Sequence, residues 1–116
     1  MISTYFKRKE FACKCGCGFD TVDAGLVNIL EKVRRHFNTP VYINSSARCP
    51  SHNQDVGGRP TSQHLLGRAA DIRIPGHPPR EVAAYIESLM PDSGGIGEYE
   101  TFTHVDSRVK RGRWKL

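Results

Sequence analysis

Apolar side chains along the chain fall into two helical stripes and several short alternating runs, and the residues between them set where each element stops. Leu26, Ile29, Leu30, Val33 and Phe37 recur three and four residues apart, which predicts a helix capped by Asp23 and ended by Asn38-Thr39-Pro40. Val82, Ala83, Ile86 and Leu89 repeat that spacing, so a second helix is expected from Pro78-Pro79 to about Met90, with Pro91 closing it. Val41 to Ser45 reads as a strand. Ala69 to Ile74 alternates, with Asp71 and Arg73 on one side and Ala70, Ile72 and Ile74 on the other. Gly94 to Tyr99 and Thr101 to Val105 read as a hairpin. No repeat, linker or low-complexity tract interrupts this order. The expected fold is α+β, a small antiparallel sheet with helices packed on one face, in a single domain over residues 1–116.

Composition narrows the class without naming a function. With 116 residues, 38% hydrophobic and 25% charged, the chain has the make-up of an ordinary globular domain with a modest core. No run approaches the roughly 18 apolar residues that span a bilayer. Met1 to Lys9 lacks the apolar stretch of a signal peptide, so synthesis in the cytoplasm is the expectation. The net charge of +5 gathers in Lys7-Arg8-Lys9 and in Arg108 to Lys115. Such clusters favour polyanions in general. A nucleic-acid module would interleave aromatics with those basic residues, and Trp114 is better read as sealing the core, so no nucleic-acid partner is expected.

The chemistry lies in Ser62-Gln63-His64-Leu65-Leu66-Gly67-Arg68-Ala69-Ala70-Asp71 and in Phe102-Thr103-His104-Val105-Asp106. Together they offer imidazoles and carboxylates suited to one catalytic zinc, which takes three such ligands and keeps a fourth position for water. Gly67 permits a turn between His64, in a loop or strand end, and the strand carrying Asp71, so the two can meet. Strand alternation puts His104 and Asp106 on one face, about 6 to 7 Å apart along the chain. One can ligate while the other acts on water or orients a ligand. No HExxH helix and no Gly-x-Ser-x-Gly elbow is present, which excludes the helical metalloprotease arrangement and leaves no convincing serine nucleophile.

The pattern Ser-x-His-x-x-Gly-x-Ala-x-Asp followed by His-x-Asp resembles the zinc D-Ala-D-Ala carboxypeptidases and related peptidoglycan peptidases. That group takes in phage endolysins and shares its metal-site architecture with lysostaphin-type enzymes and the hedgehog domain. The resemblance extends over Glu10 to Gly18, Ser46-Ala47-Arg48-Cys49-Pro50 running into His52-Asn53, Val56-Gly57-Gly58, and Gly94-Gly95-Ile96-Gly97. It implies His64 and Asp71 as the first two zinc ligands, His104 as the third, and Ser62 as a hydrogen-bonding support for His64. Many relatives carry a second histidine where Asp106 stands, or a glutamate where Thr101 stands. Asp106 is therefore read as the general base, with Glu100 and Glu98 in reserve; the exchanged assignment, Asp106 as ligand and His104 as base, stays open.

Arg48 is the expected substrate anchor, since its guanidinium fork can hold a carboxylate or carbonyl and similar peptidases use an arginine in this segment. His52 and Asn53 are expected to hold the Pro50 to Gly58 loop. The implied activity is zinc-dependent hydrolysis of a bond in the peptidoglycan stem peptide, as carboxypeptidase or endopeptidase, by a monomer released to the cell wall in the manner of a phage or prophage endolysin. A catalytically silent, zinc-stabilised wall-binding domain is the alternative. Cys13, Cys15, Cys17 and Cys49 stand apart from this set. A structural tetrathiolate zinc, a disulfide from Cys49 to the N-terminal loop, and free thiols all fit the spacing.

Overall fold

The computed structural model describes residues 2–116, and its two long helices follow the apolar spacing closely. Helix α1, Ala24–Phe37, turns Leu26, Leu30 and Val33 fully inward. It ends where Asn38 takes a left-handed conformation (φ 51°) and donates its N–H to the Arg34 carbonyl, a conformation asparagine tolerates better than most residues. Asp23 stands at the N-cap, but its carboxylate accepts from the Ser107 hydroxyl at 2.7 Å instead of from the helix. Helix α3, Pro79–Leu89, buries Val82 and Ile86, and the prolines at its start have no N–H to leave unsatisfied. Between them lies a short helix, α2, Pro50–Asp55.

Among the described residues, five strands make one sheet in the order β1-β2-β4-β3-β5. They are β1 (Tyr42–Ser45), β2 (Ala69–Arg73), β3 (Gly95–Glu98), β4 (Thr103–Asp106) and β5 (Gly112–Lys115). All neighbours pair antiparallel except β3 and β5, which run parallel. The hairpin read from the sequence is β3–β4. Helix α3 packs on β3 and β4 and against α1, so both long helices cover one face. Ala70, Ile72, Ile96 and Val105 point into that layer, and Phe6 and Phe11 close it from the N-terminal segment. The architecture is therefore α+β, with the sheet between a helical layer and an open face.

Residues alternating with that core occupy the other face. β2 pairs Asp71 directly with His104 of β4, and β3 pairs Gly97 with the same His104. Because successive side chains of a strand leave opposite faces, Asp71, His104, Asp106, Gly95 and Gly97 share the side away from the helices. No helix among the described residues is long and apolar enough to cross a membrane.

Candidate metal centre

His64 reaches the sheet from a 3-10 turn, Gln63–Leu66. Gly67 (φ 68°) then reverses the chain into β2, and a Cβ there would collide with the Thr21 carbonyl, so glycine is required on both counts. The His64 ring is 3% exposed and donates from Nδ1 to the Ser46 carbonyl at 2.7 Å. With the Nδ1 proton committed to that carbonyl, the neutral ring presents its Nε2 lone pair to Asp71 Oδ1, 3.3 Å away. His104 is held in the mirror sense. Its Nε2 donates to Asp106 Oδ2 at 2.7 Å and its Nδ1 faces the same Asp71 Oδ1 at 3.0 Å.

Two lone pairs and a carboxylate oxygen converging at this range repel one another unless something positive lies between them. A proton or a cation answers that need. Where protons answer it, burial pushes the Asp71 carboxyl up, but the hydrogen bonds then donated by His104 and His64 outweigh it and hold the group well below the usual carboxylate range. Burial lowers His104, and Asp106 and Asp71 more than reverse this, so its pKa is raised. A tetrahedral ion with bonds of about 2.0 to 2.1 Å has donor–donor edges of about 3.3 to 3.4 Å, close to the 3.0 and 3.3 Å found here. The donor set thus fits a zinc-like cation, with each ring nitrogen not aimed at the ion held by a partner of its own.

Asp106 is completely buried and surrounded by donors. Besides His104 it accepts from the Gly95 N–H at 2.9 Å, the Arg108 N–H at 3.1 Å, and the Arg108 guanidinium through Nε at 2.8 Å and Nη2 at 2.7 Å. Burial raises its carboxyl, yet these contacts with His104 and Arg108 keep it well below the ordinary range. Gly95 has to be glycine because a Cβ would strike this carboxylate. Gly97 is likewise overlaid by Trp114, whose ring lies 5.0 Å from His104 and donates its N–H to the Tyr99 hydroxyl at 2.9 Å. Trp114 accordingly belongs to the open face and does not seal the core.

His64, Asp71 and His104 come together, the first two as their spacing allowed and His104 as the family resemblance implied. Asp106 does not join them. It contacts the ring nitrogen of His104 remote from Asp71, with its oxygens already engaged, a position suited to orienting His104 and unsuited to taking a proton from water. Ser62 supports His64 through the backbone, its hydroxyl accepting the His64 N–H at 3.1 Å; the ring itself rests on Ser46. Arg48 donates from Nη2 to Asp71 Oδ2 at 3.3 Å, from Nε to the Ser45 hydroxyl at 3.1 Å, and from Nη1 to Asn53 Oδ1 at 3.3 Å. It braces the Asp71 carboxylate. Asn53 ties its loop by donating to the Arg59 carbonyl at 2.9 Å. Glu98 follows Gly97 in β3 and so leaves by the helical face, 3.5 Å from Lys115 Nζ, while Glu100 is exposed in the turn before β4. The Ser46 carbonyl and Arg108 were not foreseen. Arg108 two residues beyond Asp106 was the available signal; a backbone carbonyl leaves none.

A sequence profile described as Peptidase M15 matches residues 4–106. The chain is also 38% identical over 76 residues to the protein named Probable peptidoglycan L,D-endopeptidase MepK of Haemophilus influenzae, a match that takes in 64% of this chain and 39% of that protein's length.

Proposed function

From the premise that the chain belongs to the Peptidase M15 family, we propose that it is a zinc metallopeptidase that hydrolyses a peptide-stem bond of bacterial peptidoglycan. The observation that carries this is the convergence of His64 Nε2, Asp71 Oδ1 and His104 Nδ1 with each side chain secured from behind. All three donors come from one chain, so a monomer suffices. The peptidoglycan substrate and the endopeptidase mode are supported by the name of the Haemophilus influenzae relative, and the setting of a phage or prophage lysin by family resemblance alone.

In this reading His64, Asp71 and His104 hold the ion. When bound, it supplies Lewis-acid activation of a water and of the scissile carbonyl. Ser46 and Asp106 keep the two imidazoles in the ligating tautomers. Arg48 holds Asp71 Oδ2, and two of its five N–H donors are unengaged among the described residues, which leaves it able to receive a substrate carbonyl or carboxylate as well. The overlay of Trp114 on Gly97 lines the open face beside His104 with a flat apolar surface.

The test is digestion of purified peptidoglycan by chelated protein, by protein resupplied with zinc, and by zinc-treated His64→Ala, read by mass spectrometry of the muropeptides. New fragments should appear only in the second sample. Free terminal alanine would mark carboxypeptidase action, and shortened stems or opened cross-links an endopeptidase. A wild-type chain that binds zinc through His64 yet leaves every muropeptide intact would favour the silent binding domain.

A further inference from the structure

We propose that Cys13, Cys15, Cys17 and Cys49 form a second, structural zinc site, a tetrathiolate that fastens the N-terminal loop to the start of α2. Their sulfurs lie within 4.8 Å of one another. Cys13 Sγ is 3.4 Å from Cys15 Sγ and 3.9 Å from Cys49 Sγ, and Cys15 to Cys49 is 3.7 Å. Zinc–sulfur bonds of about 2.3 Å in a tetrahedron require sulfur–sulfur edges of about 3.8 Å. The thiols therefore already outline the coordination polyhedron.

The backbone is arranged for it. Gly16 (φ 83°) and Gly18 (φ 91°) take left-handed conformations that fold a Cys-x-Cys-x-Cys run back on itself. Cys13 N–H donates to the Phe19 carbonyl at 2.7 Å and closes the loop. Amides also point at sulfur. Cys49 N–H lies 3.5 Å from Cys13 Sγ, and His52 N–H lies 3.4 Å from Cys49 Sγ, so backbone donors face two of the four sulfurs. The loop has little else to hold it, since residues 14–18 are exposed. A small domain with a modest core is where a metal staple has most effect. Cys49 is the N-cap of α2 and follows Arg48 directly, so the staple would also steady the arginine that braces Asp71; this last step rests on the catalytic reading above, while the site itself does not.

The experiment is metal analysis of the full chain, purified under reducing conditions and reconstituted with zinc, together with His64→Ala and Cys17→Ser. The expected result is two equivalents in the wild type and one in each variant. Cobalt-loaded His64→Ala should show intense sulfur-to-metal charge-transfer absorption, absent from Cys17→Ser. If a variant fails to fold, titration of the wild type with a thiol-capping mercurial should release one of its two equivalents. One equivalent in the wild type with none in His64→Ala would overturn the proposal. So would a thiol count in denatured, unreduced protein showing two of the four cysteines lost to a disulfide.

Discussion

Asp106→Asn separates two roles for the residue that the family resemblance nominated as a base. The carboxylate is fully buried and accepts five hydrogen bonds from His104, Gly95 and Arg108. An asparagine of the same shape has one acceptor oxygen, so its NH2 must face either the guanidinium or the imidazole N–H, donor against donor. Breaking a buried charge pair costs about 3 to 5 kcal/mol. The Arg108 side chain is 32% exposed and recovers some hydration, which puts the expected loss nearer 2 to 3 kcal/mol. His104 also loses its orienting acceptor, and removing such a support weakens metal affinity about 10- to 100-fold. Urea unfolding of the chelated protein would measure the first effect, and zinc competition against a chromogenic chelator the second. An Asp106→Asn protein that unfolds and binds zinc like the wild type but has no turnover would refute this, and would return Asp106 to the role of base.

Three further outcomes follow from the same geometry. Arg48→Lys loses the fork that spans Asp71, Ser45 and Asn53, so zinc affinity should fall about tenfold; a raised KM with unchanged zinc affinity would instead make Arg48 purely a substrate anchor. Gly95→Ala forces a methyl into the Asp106 carboxylate and should cost about 1 to 3 kcal/mol in thermal unfolding, where an unaffected Tm would contradict the close approach. Zinc at one hundred times the dissociation constant of this centre should stabilise the folded chain by about 2.7 kcal/mol through that one site, and His64→Ala should lose this share in calorimetry.

The long helices were legible because a 3.6-residue apolar stripe is long and redundant, as Leu26 to Phe37 shows. β5 was not. Gly112, Arg113, Trp114 and Lys115 carry no alternation, and the strand exists because it pairs in parallel with β3 at the sheet's edge, a contact that no local pattern encodes. The α2 segment, Pro50–Asp55, reads as a loop for a similar reason, being short and polar. At the candidate site, the family resemblance carried by the motif residues picked out His64, Asp71 and His104, and alternation put Asp106 on the same face as His104. What alternation could not show is whether that side chain meets water or protein. Its burial depends on Arg108 folding back and on Gly95 lacking a side chain, both tertiary facts. Ser46 contributes a carbonyl, the same group every residue carries, so its part depends wholly on where the chain runs.

The pairing of β2 with β4 has a consequence for biogenesis. Asp71 and His104 are 33 residues apart in sequence, and the carboxylate behind His104 is secured only after Arg108 has been made. A nascent chain emerging from the ribosome thus cannot complete this cluster until Arg108 is out, because long-range strand pairing has to come first. Chains that stop short of Arg108 would carry the separate side chains without the arrangement that gathers them.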